Sequence, residues 1–326
     1  MGLREAAAAS LVALPFGIGL TAAADDDARP VLRFADPQIV ESSGLVATGG
    51  LVVTVNDSGD AARVFAVDPA DGSTVGVTRW AGEPVDVEAL APAGPGDVWV
   101  GDIGDNTATR DSIRVTRVPV GRGERRVEGA AYDLAYPEGA VDAEALLAHP
   151  DTGQLLVVTK SVLGGRVYVA PERLRADRVN RLRPLGGVMP LVTDGGFLPD
   201  GRHLVLRDYG RAVVYSFPQL AVIGDFALPE QSQGEGLAVT GRDRLLVSTE
   251  GVRAPVHAVN LPARAARASE EADDGGANGE SPSTSPDSTS EPADPVPVRP
   301  DVRSWLIGAG MLVAIVVVLV LSLRPR

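Results

Sequence analysis

"EALAPA", Glu88 to Ala93, is one of five versions of a single phrase; "ESSGLVA" from Glu41, "EALLAHP" from Glu144, "DGGFLPDG" from Asp194 and "EGLAVTG" from Glu235 are the others. Each opens on an acid and passes into small and apolar residues, and the starts lie 47, 56, 50 and 41 residues apart. Self-similarity at that period is the mark of a four-stranded propeller blade.

The rest of each unit follows one grammar. A second apolar run comes next: "LVVTV", "DVWVG", "LLVVT", "HLVLR" and "LLVST". A third follows a polar loop: "RVFAVD", "IRVTRV", "RVYVA", "AVVYSF" and "VHAVN". Runs of five to seven residues rich in Val and Leu, bounded by Gly, Pro, Asp and Asn, read as strands. Fourth strands are expected at "STVGVTRWA", "VEGAAYDLAY", "NRLRPLGGV" and "AVIGDFAL", whereas the fifth unit has none. "VLRFAD", Val31 to Asp36, stands ahead of the first unit and can supply it, closing the ring and covering the sheet edges. The expected fold is all-β, a five-bladed β-propeller over residues 30–262; six blades would need a repeat that is not visible.

With "NDSGD", "VFAVD" and "GDIGDN", this blade grammar resembles secreted bacterial β-propellers of the broad group containing NHL-type, WD-type and gluconolactonase-like domains. The resemblance spans 30–262 and implies the fold; it implies no activity, since one fold hosts many functions. The WD dipeptide and GH signature of true WD repeats are absent.

Both ends of the chain read as targeting segments. The apolar run Ala6 to Leu20, the Ala22-x-Ala24 pattern and three following aspartates have the layout of a signal peptide, residues 1–24, with an uncleaved anchor as the alternative. Residues 263–303 are rich in Ser, Pro, Asp and Glu, and such a segment buries too little surface to offset its ordering entropy; it is expected to be a disordered stalk. Trp305 to Leu323 carries no charge over 19 residues, about 28 Å of helix, so a transmembrane helix is expected over 304–323. Arg324 and Arg326 after it favour a cytoplasmic tail at 324–326 and place the propeller outside the cytoplasm as part of a single-pass cell-membrane protein.

The chain has 326 residues, a net charge of −13, three histidines and no cysteine. Thiol chemistry and disulfides are thereby excluded, and no basic stripe points to nucleic acid. First strands line a propeller's channel, so Glu41, Glu88, Glu144, Asp194 and Glu235 are expected to form an acidic ring at one mouth. Second strands return to the same rim, bringing Asn56 and Asp57, Asp102, Lys160, Arg207 with Asp208, and Glu250. Two carboxylates about 5 Å apart repel by roughly 3 kcal/mol at an effective dielectric near 20, so such a ring needs compensation. Protonation, pairing with Lys160 and Arg207, backbone hydrogen bonds or a hard cation could each supply it. Oxygen ligands without His or Cys favour Ca²⁺ over Zn²⁺.

Two loops share the pattern Asp-x-Gly-Asp, Asp57 to Asp60 and Asp102 to Asp105. They read either as cation ligands or as tight turns capped by their aspartates. In the first functional reading, the propeller binds or senses a small molecule or protein at the mouth. Ca²⁺ is held by Glu41, Asn56, Glu88, Asp102, Glu144, Asp194 and Glu235, and the ligand meets Lys160, Arg207, Asp208 and Glu250. The alternative is a Ca²⁺-dependent lactonase or phosphoesterase with Asp57 or Asp105 as general base. A purely structural domain on a stalk is the third reading.

Overall fold

The computed structural model describes residues 30–57, 59–263 and 265. The chain enters as β1 (Pro30–Arg33) and then lays down five antiparallel sheets in turn. Blade 1 comprises β2 (Ser42–Thr48), β3 (Leu51–Asn56), β4 (Arg63–Val67) and β5 (Thr74–Trp80). Blade 2 comprises β6 (Val87–Pro92), β7 (Asp97–Asp102), β8 (Ile113–Pro119) and β10 (Ala130–Ala135). Blade 3 is β11 (Ala143–Ala148), β12 (Leu155–Thr159), β13 (Arg166–Val169) and β15 (Arg183–Gly187). Blade 4 is β16 (Asp194–Phe197), β17 (His203–Arg207), β18 (Arg211–Ser216) and β19 (Val222–Ala227). Blade 5 is β20 (Gly234–Val239), β21 (Arg244–Thr249) and β22 (Pro255–Asn260), completed by β1, which pairs antiparallel with β22. The first strands β2, β6, β11, β16 and β20 each neighbour the next, and β20 neighbours β2, so the ring is closed.

Strands were expected at each of these places; two further ones were not. The connection from β8 to β10 reaches back to add β9 (Gly123–Val127) parallel to β5, on the outer edge of blade 1. The connection from β13 to β15 likewise adds β14 (Asn180–Arg181) parallel to β10, splitting "NRLRPLGGV" between two blades. Each covers an edge whose N–H and C=O groups would otherwise be open to a second chain. Neither carries apolar alternation: "GERRV" is charged and Gly-led, so periodicity does not mark it.

Five apolar clusters occupy the five seams between neighbouring blades. Val53 and Val55 meet Leu90 and Val98 between blades 1 and 2, and Leu156 and Val158 meet Leu204 and Leu206 between blades 3 and 4. At about 1.5–3 kcal/mol for each fully buried aliphatic side chain, these seams dominate the stability of the ring. The blades approach closely where the first strands begin. A Cβ on Gly44 would run into the backbone of Ala89 and Leu90 in the next blade. Ala265, buried in the seam of blades 4 and 5, carries the folded domain past the expected boundary at 262. The segments expected to be a signal peptide, a transmembrane helix and a cytoplasmic tail, and nearly all of the expected stalk, lie outside the described residues.

Candidate functional site at the channel mouth

The first strands start at one rim, and four of the five begin with a register irregularity: between Ser42 and Leu45, Val87 and Ala89, Ala143 and Ala145, and Gly234 and Leu237. The residues displaced there include Ser43, Glu88, Glu144 and Glu235. In blade 1 the structurally equivalent residue is therefore Ser43, and Glu41 lies two residues earlier, exposed, with its carbonyl accepting the N–H of Asp57 at 3.0 Å. The carbonyls of Asp142 and Gln233 take the N–H groups of Lys160 and Glu250 in the same way, which confirms the offset.

Blade 4 is out of step by one residue. Leu155 and Val157 of β12 face blade 2, and Leu204 and Leu206 of β17 face blade 3, so Leu206 corresponds to Val157. Their partners are Gly195 and Leu146. Counting back, Thr193 takes the place of Glu144, and Asp194 turns the other way because alternate strand residues face opposite sides. Its oxygens accept the N–H groups of Gly195 at 2.8 Å and of Leu237 in blade 5 at 2.6 Å. Thr193 Oγ1 meets the carbonyls of Gly234 and Glu235, both at 3.2 Å, just as Ser43 Oγ meets the carbonyl of Glu88 at 2.8 Å. The ring is thus three glutamates and two hydroxyls, in place of the five acids expected.

Those three glutamates are almost wholly buried. Loss of hydration, followed by the charges of Glu144, Asp57 and Asp86, pushes Glu88 up to about 11. One Glu88 oxygen lies 3.1 Å from Ser43 Oγ. Glu144 is raised by burial to about 7, held there by Lys160, whose Nζ sits 2.8 Å from Oε1. Burial also lifts Glu235, to about 8, and its Oε2 is enclosed without a hydrogen-bond partner. Lys160 lies over the ring of Tyr209, 5.4 Å from the centroid, and Glu144 and Glu235 hold its charge on. Glu250 is raised by burial and by Asp57 and Glu41.

The sharpest convergence is among Asp57, Asp86 and Glu88, each of which offers a carboxylate oxygen within 4.8 Å of the others. Asp86 is also raised, by burial first and then by Asp57 and Asp142. It was absent from the expected site, although the sequence marks it. Asp86-Val-Glu88 and Asp142-Ala-Glu144 repeat one pattern two residues ahead of the ring position. Tyr209, equivalent to Lys160 once the phase is corrected, was missed for the same reason as Thr193.

Other expected site residues are engaged elsewhere. Asn56 Oδ1 accepts the N–H groups of Val40 and Glu41, and Asp102 accepts those of Val85 and Asp86 while pairing with Arg110 at 2.9 Å. Both therefore fasten the segment leading into their own blade's first strand, which makes Asn56, not Asp57, the counterpart of Asp102. The two Asp-x-Gly-Asp loops are consequently displaced by one residue, and only the first sends an aspartate to the acidic cluster. Asp105 caps its own loop through the N–H groups of Thr109 and Arg110, at 2.9 and 2.8 Å. These bonds and Arg110 outweigh the opposing effect of burial and leave its carboxyl below the usual range. Asp208 accepts from Gly210 and Arg211. Arg207, fully buried, donates to the carbonyls of Asp208, Gly236 and Ser248 and to Gln231 Oε1, so it joins blade 4 to blade 5 and presents nothing to the rim. The acidic side of the mouth consequently faces a single lysine in place of the expected Lys–Arg pair.

No protein-family model matches the chain, and no curated protein does. Solved structures do match. The PQQ-bound aldose sugar dehydrogenase of Streptomyces coelicolor is 13% identical over 71% of this chain and 96% of its own, with a TM-score of 0.42. A candidate 6-phosphogluconolactonase from Bacteroides uniformis is 14% identical over 68% of each chain, with a TM-score of 0.38. The Dos1 propeller is 13% identical over 64% of this chain and 52% of its own, at 0.35. With identities of 13–14% and TM-scores of 0.35–0.42, these likenesses carry no argument about this chain.

Proposed function

We propose that this chain is a membrane-anchored, extracytoplasmic binding propeller. Its acidic mouth takes a hard divalent cation, Ca²⁺ in first place, and with it an extracellular small molecule or protein. One observation carries the reading: the oxygens of Asp57, Asp86 and Glu88 converge within 4.8 Å beside buried glutamates that lack enough positive charge to balance them. Carboxylate oxygens at such separations suit an ion that takes six to eight oxygens at about 2.3–2.6 Å. Anchoring rests on the uncharged run Trp305 to Leu323 and the arginines after it. Ca²⁺ at a hundredfold excess over its Kd should raise the Tm of the full chain by about 5–10 °C at pH 8. Glu88→Gln should abolish that shift while keeping the fold. An unchanged Tm between Ca²⁺ and chelator would end the cation reading.

Glu144, poised at about 7, favours one second reading, a cation-dependent hydrolase in which it exchanges a proton with substrate. Asp105 does not suit that role, because its oxygens are committed to backbone donors. Lactone or phosphoester turnover lost in Glu144→Gln would select this reading, and silence across such a panel would remove it.

A further inference from the structure

The channel has a second mouth, where the first strands end, and its chemistry is the opposite of the first. Four blades place a leucine two residues after the ring position: Leu45, Leu90, Leu146 and Leu237. Blade 4 places Gly195 there, and Gly196 follows it. Blade 4 thus lacks two successive side chains, one on each face of β16, and beside them lies a cavity of about 230 Å³ lined by these leucines, both glycines and Phe197.

We propose that this cavity is a binding pocket for the uncharged alkyl end of a small molecule, separate from the acidic mouth. Its wall contains no charged side chain and no hydroxyl or amide side chain. The lip includes Pro92, Pro150 and Pro199, none of which has an N–H to offer. The lining side chains can therefore hold none of the hydrogen bonds of a polar ligand, and a polar group set against them would lose its water without replacement. The pocket is about one and a half times the roughly 150 Å³ apolar cavity that stays dry and takes up benzene. The walls are aliphatic apart from Phe197, and the cavity lies at the end of a channel, a shape that favours a chain over a broad ring system. Side chains cannot simply be restored on blade 4. A Cβ on Gly195 would press on Leu206 and the Val205 carbonyl, and one on Gly196 would approach Val239 to 3.0 Å. The gap thus follows from how β16 packs.

The test uses the full chain with 1-octanol and 1,8-octanediol as probes. Ala47→Leu from blade 1 and Ala148→Leu from blade 3 fill the pocket from independent sides, and each variant in the same medium serves as the blank for non-specific uptake. Octanol should bind saturably at one site and shift the amide resonances of Gly195, Gly196 and Ala148. Affinity should fall at least tenfold in each filled variant and for the diol, and should be unchanged in Glu88→Gln, which disables only the proposed cation site. Non-saturable uptake, resonance shifts confined to other regions, or undiminished affinity in a filled variant that keeps the wild-type melting transition would overturn the assignment.

Discussion

Lys160 and Arg207 stand near the ends of equivalent strands in adjacent blades, yet they do opposite work. Lys160 reaches into the mouth, pairs with Glu144 at 2.8 Å and rests on Tyr209. Arg207 points into the seam of blades 4 and 5 and is enclosed by oxygen acceptors. The counterpart of Lys160 is Tyr209, and Arg207 stands two residues before it, at the position where Val158 of blade 3 turns into a seam. A charge near a strand end can therefore be part of a site or part of the scaffold, and the face it occupies decides which.

Substitution should separate the two roles. Arg207→Ala leaves the carbonyls of Gly236 and Ser248 without their donor and opens a void beside them, and should cost about 3–5 kcal/mol. Arg207→Lys should recover only part of that, because an ammonium cannot reproduce the fork. Urea midpoints measure both, and a loss below about 1 kcal/mol in Arg207→Ala would erase the contrast with Lys160. Asp102→Ala comes next, at about 2–3 kcal/mol, since it frees the N–H groups of Val85 and Asp86 and leaves Arg110 only the carbonyls of Gly104 and residue 102. Asp57→Asn, in the companion loop, should be near neutral or stabilising in chelator, because Asp57 raises Glu88, Asp86 and Glu250. If both loops respond alike, their one-residue displacement has no energetic meaning.

Acidity gives the most diagnostic effect. Glu235 rises from 4.5 to about 8 on folding, so between those values the folded chain holds a proton that the unfolded chain has released. Stability should then be greater near pH 5 and decline as the pH rises through 8, with the whole cost present above that. Glu88, raised further, extends the decline to higher pH. Asp60 works in the other direction. Burial opposes its ionisation, but Arg63, Asn56 and the Ala61 N–H outweigh that, and the stability it contributes is lost as the pH falls below its ordinary value of 3.8. In chelator, Tm should drop by roughly 5 °C from pH 5.5 to 8.5, and Glu235→Gln should flatten part of that slope. A Tm that rises over this interval would contradict a protonated mouth. Because a cation competes with these protons, Ca²⁺ should bind more tightly as the pH increases.

Much of the ring is legible in the sequence. Apolar runs at blade period gave the five units, and the missing fourth strand of the last unit gave its replacement by β1. Glu88, Glu144 and Glu235 were found because each is followed by a small residue and then Leu, the same sequence that follows Ser43. An acid as the marker of the phrase also draws in Glu41 and Asp194. Acidity does not set strand phase; the alternation of buried faces does. Thr193, Tyr209 and Asp86 stayed hidden behind that choice.

The sequence by itself determined the blade count, the closure and the concentration of acid at one rim. Each of these follows from local alternation of apolar and turn-forming residues repeated along the chain. Tertiary structure alone decided which acids meet, that Lys160 and not Arg207 pairs with one of them, and that two glycines leave a cavity at the far end of the channel. The reason is physical: a one-residue irregularity at the start of a strand changes little locally, yet it turns every following side chain toward the opposite neighbour.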